Sequence, residues 1–269
     1  MPELPEVETV VESIKYSIKS RDIKSLIIIN KKLRWPINKN IPDNVSGNYI
    51  KKIYRRGKHI IFRLDNGFLL IHLGMTGVIR YLKKGDDKKY GKHDHFDIEL
   101  KDNSILRYND VRKFGSLHWT DCIDEHFLIK NLGPEPLSKA FDHDYLRKSC
   151  KNRNIPIKNL IMDQNIVVGI GNIYASESLF LSKIRPNKRC KYLKDSDCKV
   201  LVESIKIILN RSIKAGGTTL KDFKSIDGKP GYFKQKLLIY DQLICKCGNK
   251  IKNIKLGGRS SYYCSNCQK

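Results

Sequence analysis

At 269 residues the chain has room for one large or two moderate domains, each burying its own core. Its 52 Lys and Arg against 28 Asp and Glu leave a formal charge of +24, which is spread along the chain and calls for a polyanionic partner unless it is only base-composition drift. No run approaches the roughly 18 apolar residues of a spanning helix, and the opening MPELPE lacks the basic and apolar stretches of a signal peptide, so nucleic acid is expected over a membrane, in the cytoplasm.

In chain order, Val7, Val10, Val11, Ile14 and Ile18 mark one face of a helix, and Pro5, Glu6 and Glu8 suit its N-terminus. Residues 1 to 4 are then expected as a short free arm. Strand-like runs follow at Lys24 to Ile29, His59 to Leu64, Phe68 to Leu73, Phe96 to Leu100, Ile105 to Tyr108 and Ser116 to Trp119, separated by turn signals such as DNG and KDNS. This is the pattern of an antiparallel sandwich rather than a βαβ series. GPEP at 133 to 136 breaks it, and the stretch from Tyr145 to Ala215 reads as helices, one opened by Pro156, one over Asn172 to Ser182 and one over Cys198 to Ala215. The fold class is therefore α+β, with no internal repeat.

The chemistry-bearing stretches start at the tail, where Cys245, Cys247, Cys264 and Cys267 form two close pairs around a hairpin-sized insert. Such a set suits one structural zinc ion, although C-x-C cannot make the tight turn of C-x-x-C. Cys122, Cys150, Cys190 and Cys198 are scattered and read as thiols, not disulfides. VVGIGNIYASES puts glycines before a helix starting near Asn172, either an ordinary turn or a phosphate cradle. YRRGKHI offers Arg55, Arg56 and Lys58 before a strand, either a solvated turn or an anion contact. In HLGMTG and NDVRKFG, Met75 and Phe114 are either core residues or wedges for a base stack. Pro2 either stiffens the helix entry or, once Met1 is removed, supplies a secondary amine able to form an iminium with an aldehyde-level carbon, with Glu3 beside it to move a proton.

MPELPEVET, LRWP, IHLGMTG, KHDHFD, RKFG, LGPEPL, VVGIGNIYASESLF, GGTTLKDF, DGKPGYF and YYCSNCQK together resemble the bacterial formamidopyrimidine-DNA glycosylases from end to end. The resemblance implies an N-terminal helix and β-sandwich over 1–134, a helix-two-turn-helix domain over 135–234 and a zinc-finger hairpin over 235–269. It also implies a monomer that removes 8-oxoguanine and ring-opened purines from duplex DNA and then cleaves the strand at the abasic site.

By the same resemblance Pro2 is the nucleophile, Glu3 the general acid, Glu6 a supporting carboxylate, Lys58 the lysine of β-elimination and Arg259 the finger arginine of δ-elimination. His93, Arg112, Arg153, Lys158 and Asn172 fall at DNA contacts, with Arg153 where a lysine is common. Met75, Arg112 and Phe114 resemble the trio that fills the gap left by the flipped base. Residues 216 to 233 look like the loop that closes over it. The short C-x-C departs from the family's C-x-x-C and puts the zinc geometry, and through it the placing of Arg259, in question. Two rival readings are an endonuclease VIII-like enzyme for oxidised pyrimidines and a non-catalytic DNA-binding relative.

Overall fold

A computed structural model describes residues 2–218 and 233–269. The chain divides into two compact units, Met1–Lys130 joined by the segment that begins at Ala215, and Asn131–Lys214 with Phe233–Lys269.

The first unit starts with helix α1, Leu4–Ser17. Its start is capped reciprocally: Glu3 takes the N-cap, its side chain accepts from the backbone of Glu6, and the Glu6 carboxylate accepts from the Glu3 N–H at 2.8 Å. The expected free arm is thus shorter than the sequence suggested. Helix geometry begins at Leu4, and Pro2 and Glu3 are both buried. Six antiparallel pairings build two sheets from β1 (Ile23–Ile28), β2 (Lys52–Arg56), β3 (His59–Arg63), β4 (Phe68–His72), β5 (Val78–Leu82), β6 (Asp94–Leu100), β7 (Ile105–Asn109) and β8 (Ser116–Thr120). The orders are β1-β6-β7-β5 and β2-β3-β4-β8. A five-residue helix α2, Ile41–Val45, precedes β2.

The core between the sheets takes Val7, Val10, Val11 and Ile14 from α1, Phe96, Ile98 and Leu100 from β6, and Ile60, Phe62, Leu69 and Ile71 from β3 and β4. The β6 trio follows from strand alternation in HFDIEL, which puts Phe96, Ile98 and Leu100 on one side. On the other side Asp97 is 1% exposed, because Arg107 on β7 grips it with Nε at 2.8 Å and Nη2 at 2.7 Å. Strand β2, KIYRR, carries too many cations to be read as a strand from sequence, and the short β5 was not expected either; cross-strand pairing makes both regular.

The second unit contains α3 (His143–Cys150), α4 (Ile157–Met162), α5 (Asn172–Leu181) and α6 (Asp195–Lys214), then the hairpin β9 (Lys252–Leu256) and β10 (Arg259–Tyr263). The helix α6 begins three residues before its expected start at Cys198, since Asp195 and Asp197 favour the positive dipole end. Cys150, Cys190 and Cys198 are buried free thiols and Cys122 is an exposed one. No helix among the described residues is long and apolar enough to cross a membrane.

Candidate active site and nucleic-acid interface

In the first unit, the capped terminus and the Lys58 turn are tied together. Glu6 spends its second oxygen on the Thr218 N–H at 2.7 Å, so one buried carboxylate joins the N-terminus to the chain after α6. One helical step on, Glu8 pairs with Arg55 on β2 at 2.6 Å, and Arg55 Nη1 donates to the Gly57 carbonyl at 3.1 Å. Arg56 pairs with His59 across the hairpin, so Gly57 and Lys58 form a two-residue loop, with Gly57 at φ +57°. Lys58 is only 8% exposed there.

Behind Lys58, the rings of His59 and His72 lie 5.0 Å apart. Burial pushes His59 down to about 4 and His72 to about 3, and the Lys58 charge pushes both the same way. Both imidazoles are therefore neutral at pH 7 and add no positive charge beside Lys58. His72 Nδ1 accepts from the Gly74 N–H at 3.0 Å and so helps shape the HLGMTG turn.

Asp110, fully buried, organises the neighbouring loops. Its carboxylate accepts from the Gly115 N–H at 2.8 Å, the Arg112 N–H at 3.2 Å and the Thr76 hydroxyl. The Met75 turn and the 111–115 loop are thereby fixed to one another. Gly74, at φ +65°, has no room for a Cβ, which would stand 2.4 Å from the Phe114 backbone. Phe114 is 45% exposed, Arg112 lies over its ring at 4.8 Å, and Met75 is half-buried. His93, half-buried, accepts the Asp110 N–H on its carbonyl. The sequence pattern of NDVRKFG singled out Phe114 and not Asp110, whose carboxylate joins its own loop to the Thr76 hydroxyl 34 residues away.

In the second unit, Lys158 is 1% exposed on α4. Its Nζ donates to Asn172 Oδ1 at 2.6 Å, Ser261 Oγ at 2.8 Å and the Ser260 carbonyl at 2.9 Å. It thus joins α4, the start of α5 and the finger strand β10. Arg259 leaves the two-residue loop Gly257–Gly258 exposed to solvent, and Arg153 is exposed beyond α3. Glu177, missed by sequence reading, is fully buried on α5 and accepts the Leu238, Ile239 and Tyr240 N–H groups at 2.8 to 3.0 Å, which anchors the strand of chain entering the finger. Burial raises its pKa even so. Of the expected closing loop at 216–233, all but Gly216, Gly217, Thr218 and Phe233 lies outside the described residues, as does Met1.

The four tail cysteines converge. Cys245 and Cys267 sulfurs are 3.8 Å apart and Cys247 and Cys264 sulfurs 3.6 Å apart, and all four lie within 4.8 Å of one another. A tetrahedron with Zn–S bonds of about 2.3 Å has edges of about 3.8 Å, so this set fits one structural zinc ion. Cys245 and Cys247 do converge through a tight turn, contrary to the expectation for C-x-C: the Gly248 N–H closes it on the Cys245 carbonyl at 2.8 Å, with Gly248 at φ +84°.

Three family models match: the formamidopyrimidine-DNA glycosylase N-terminal domain over residues 1–117, its H2TH domain over 132–224, and the zinc finger found in FPG and IleRS over 246–269. The chain is 46% identical over its whole length to the formamidopyrimidine-DNA glycosylase of Hydrogenovibrio crunogenus, covering 97% of that protein, and 43% identical to that of Neisseria meningitidis, covering all of it. Among solved structures it is similar to a Lactococcus lactis FPG variant in complex with a Fapy-dG containing DNA, with a TM-score of 0.89, 34% identity and full coverage of both chains. A MutM complex with carbocyclic 8-oxo-G containing DNA matches with a TM-score of 0.88 at the same identity and coverage. With its three segments matched in order and its full length shared with these relatives, the chain belongs to the formamidopyrimidine-DNA glycosylase family.

Proposed function

We propose that this protein excises 8-oxoguanine and ring-opened purines from duplex DNA and then cleaves the strand at the abasic sugar. The observation that carries the reading is the capped terminus. The Glu3–Glu6 box and the Glu8–Arg55 pair hold the N-terminus and the Lys58 loop on one scaffold, as a nucleophile and a neighbouring cation require.

After removal of Met1, the Pro2 nitrogen attacks C1′ and the bond from C1′ to the base breaks, with Glu3 supplying the proton for the opening sugar and Glu6 holding Glu3 in place. The resulting iminium is an electron sink, so loss of the C2′ proton expels the 3′ phosphate, and a second elimination expels the 5′ phosphate. An amine of ordinary α-amino basicity, about 8, leaves a useful unprotonated fraction at neutral pH. Lys58 assists the first elimination and Arg259 the second, both against phosphate. Met75, Arg112 and Phe114 fill the gap of the flipped nucleotide, with Arg112 facing the opposite cytosine. His93, Arg153 and Asn172 hold phosphates, while Lys158, buried and with its three Nζ donors spent on Asn172, Ser260 and Ser261, braces Asn172 and the finger instead of meeting a phosphate itself. The parts 1–134, 135–234 and 235–269 divide this work as catalytic domain, helical DNA-binding domain and finger, the zinc ion serving only to fold the hairpin behind Arg259. The protein acts as a monomer on chromosomal DNA in the cytoplasm.

Borohydride trapping tests the reading. A covalent adduct is expected with a duplex carrying 8-oxoguanine opposite cytosine, and it is lost in Pro2→Gly. Preferential trapping on an oxidised pyrimidine would instead favour the endonuclease VIII-like activity, and no adduct on either substrate would leave a DNA-binding protein without catalysis.

A further inference from the structure

At the opposite end of α1 from Pro2, about 20 Å of helix away, lies a groove of about 750 Å³. One wall is the C-terminal turn of α1, where Tyr16 is 91% exposed, followed by Lys19; the other is the edge strand β5 and its continuation, with Tyr81, Lys83 and Lys84. Four other lysines of this unit have carboxylate partners: Lys15 with Glu12, Lys24 with Glu99, Lys51 with Asp65 and Lys101 with Asp22. The ammonium groups of Lys19, Lys83 and Lys84 have no carboxylate partner among the described residues, and the nearby Asp86 accepts from the Lys83 backbone N–H at 2.7 Å instead. The groove's one acid, Asp102, is tied to its own turn, accepting from the Ser104 N–H at 2.9 Å and its hydroxyl at 2.6 Å. The negative end of the α1 dipole amounts to about half a charge, too little to offset three ammonium groups.

We propose that this groove binds an unpaired stretch of nucleic acid, with a base stacked on Tyr16 and the flanking phosphates on Lys19, Lys83 and Lys84. Cations interleaved with exposed rings are what a single strand needs, because each unstacked base offers a face and each linkage a charge. The lining contains Tyr, Ser, Lys and Asp but no aliphatic side chain, so it lacks the apolar anchor pocket on which a peptide partner depends. A duplex is excluded from this stacking, since its base faces are already covered. The site would hold single-stranded DNA or RNA beside the damaged duplex without competing for the catalytic cleft, and it stands independently of the glycosylase reading.

The test loads the full-length protein with an unlabelled duplex carrying a tetrahydrofuran abasic analogue, then adds a fluorescent oligothymidylate of about 8 nucleotides, within the usual site size of such platforms, and follows anisotropy. Binding is expected on the loaded protein. Tyr16→Ala should weaken it about fivefold or more, the lower end of what losing one stacking ring costs, while Tyr16→Trp retains it. The double variant Lys83→Glu, Lys84→Glu should weaken it about tenfold or more and flatten its salt dependence. Borohydride trapping on the 8-oxoguanine duplex should be unchanged in all three, which also reports that they fold. No binding to the loaded protein overturns the proposal. So does binding indifferent to Tyr16, which would mean a diffuse basic surface, or tighter Tyr16-dependent binding of an acidic peptide, which would mean a protein partner.

Discussion

Two hairpins, one in each unit, use the same local device to present a cation and arrive at opposite environments. In the first, Gly57 and Lys58 are the two loop residues and Lys58 is 8% exposed; in the second, Gly257 and Gly258 are the loop and Arg259 stands exposed just after it. The first tip is held by charge and burial, through the Glu8–Arg55 pair and the neutral imidazoles of His59 and His72. The second is held from beneath, by the triple donation of Lys158 to Asn172, Ser260 and Ser261. A two-residue turn therefore sets where a cation sits in the chain. What packs around the turn sets its exposure, and with it the choice between a point charge in a dry pocket and a reaching guanidinium.

The contrast can be broken most severely at Lys158. Replacement by Met keeps the apolar stem but orphans the Asn172 and Ser260 acceptors, and should cost about 3 kcal/mol, since hydrogen bonds to a charged group are worth about 1.5 to 3 kcal/mol each. Urea unfolding of the zinc-loaded protein would show it as a lowered midpoint. A loss under about 0.5 kcal/mol would mean that the network is no stronger than a surface pair.

Acid should discriminate between the hairpins next. His59 and His72 take up protons near 6.5 when unfolded but only near 4 and 3 when folded. Their neutral burial is compatible with stability above about pH 6.5, and stability falls as the pH drops from there toward 4, because the unfolded chain binds the protons first. Each histidine accounts for a loss of about 2.5 kcal/mol by about pH 4.5. His118 and His126, whose pKa values burial also lowers, steepen the same decline. Hydrogen exchange between pH 7 and about 4.5, the range in which histidines titrate, should show early opening of β3 and β4 and not of β9 and β10. Equal opening of both would remove the assigned role of the imidazoles.

The smallest effect is at the turn glycines. Gly57→Ala and Gly257→Ala each place a Cβ at positive φ, +57° and +54°, and should each cost about 1 kcal/mol. Gly257 also sits against Asn159, where the new Cβ would be 3.3 Å from the amide, so its cost should be the larger. Thermal midpoints of the two variants would rank them.

Much of this could be read before any fold was known, and the particular failures share a cause. The inward faces of α1 and β6 follow from periodicity, and the motifs from MPELPEVET to YYCSNCQK identify the family by resemblance. Missed were β2, a cation-rich strand, and the short β5, both made regular by their neighbours, and the buried carboxylates Asp110 and Glu177, which bind the Thr76 hydroxyl and the 238–240 backbone, groups that local pattern does not bring close. The tail cysteines and their zinc site were found from spacing, but the tight turn at Cys245–Gly248 was not expected of C-x-C, because the left-handed Gly248 that closes it is a property of the backbone and not of the cysteine spacing.

By itself the sequence determined the parts: a proline behind the first methionine, a glutamate at the following helix cap, hairpin glycines, a fourfold thiol set and a surplus of cations. Only the tertiary structure decided which cations are buried and which reach out, which carboxylates are structural bolts, and that three lysines and a tyrosine far from Pro2 share one groove. Local propensity acts over a few residues, whereas burial, pairing and desolvation are set by contacts between segments tens to hundreds of residues apart, and those contacts exist only once the chain has folded.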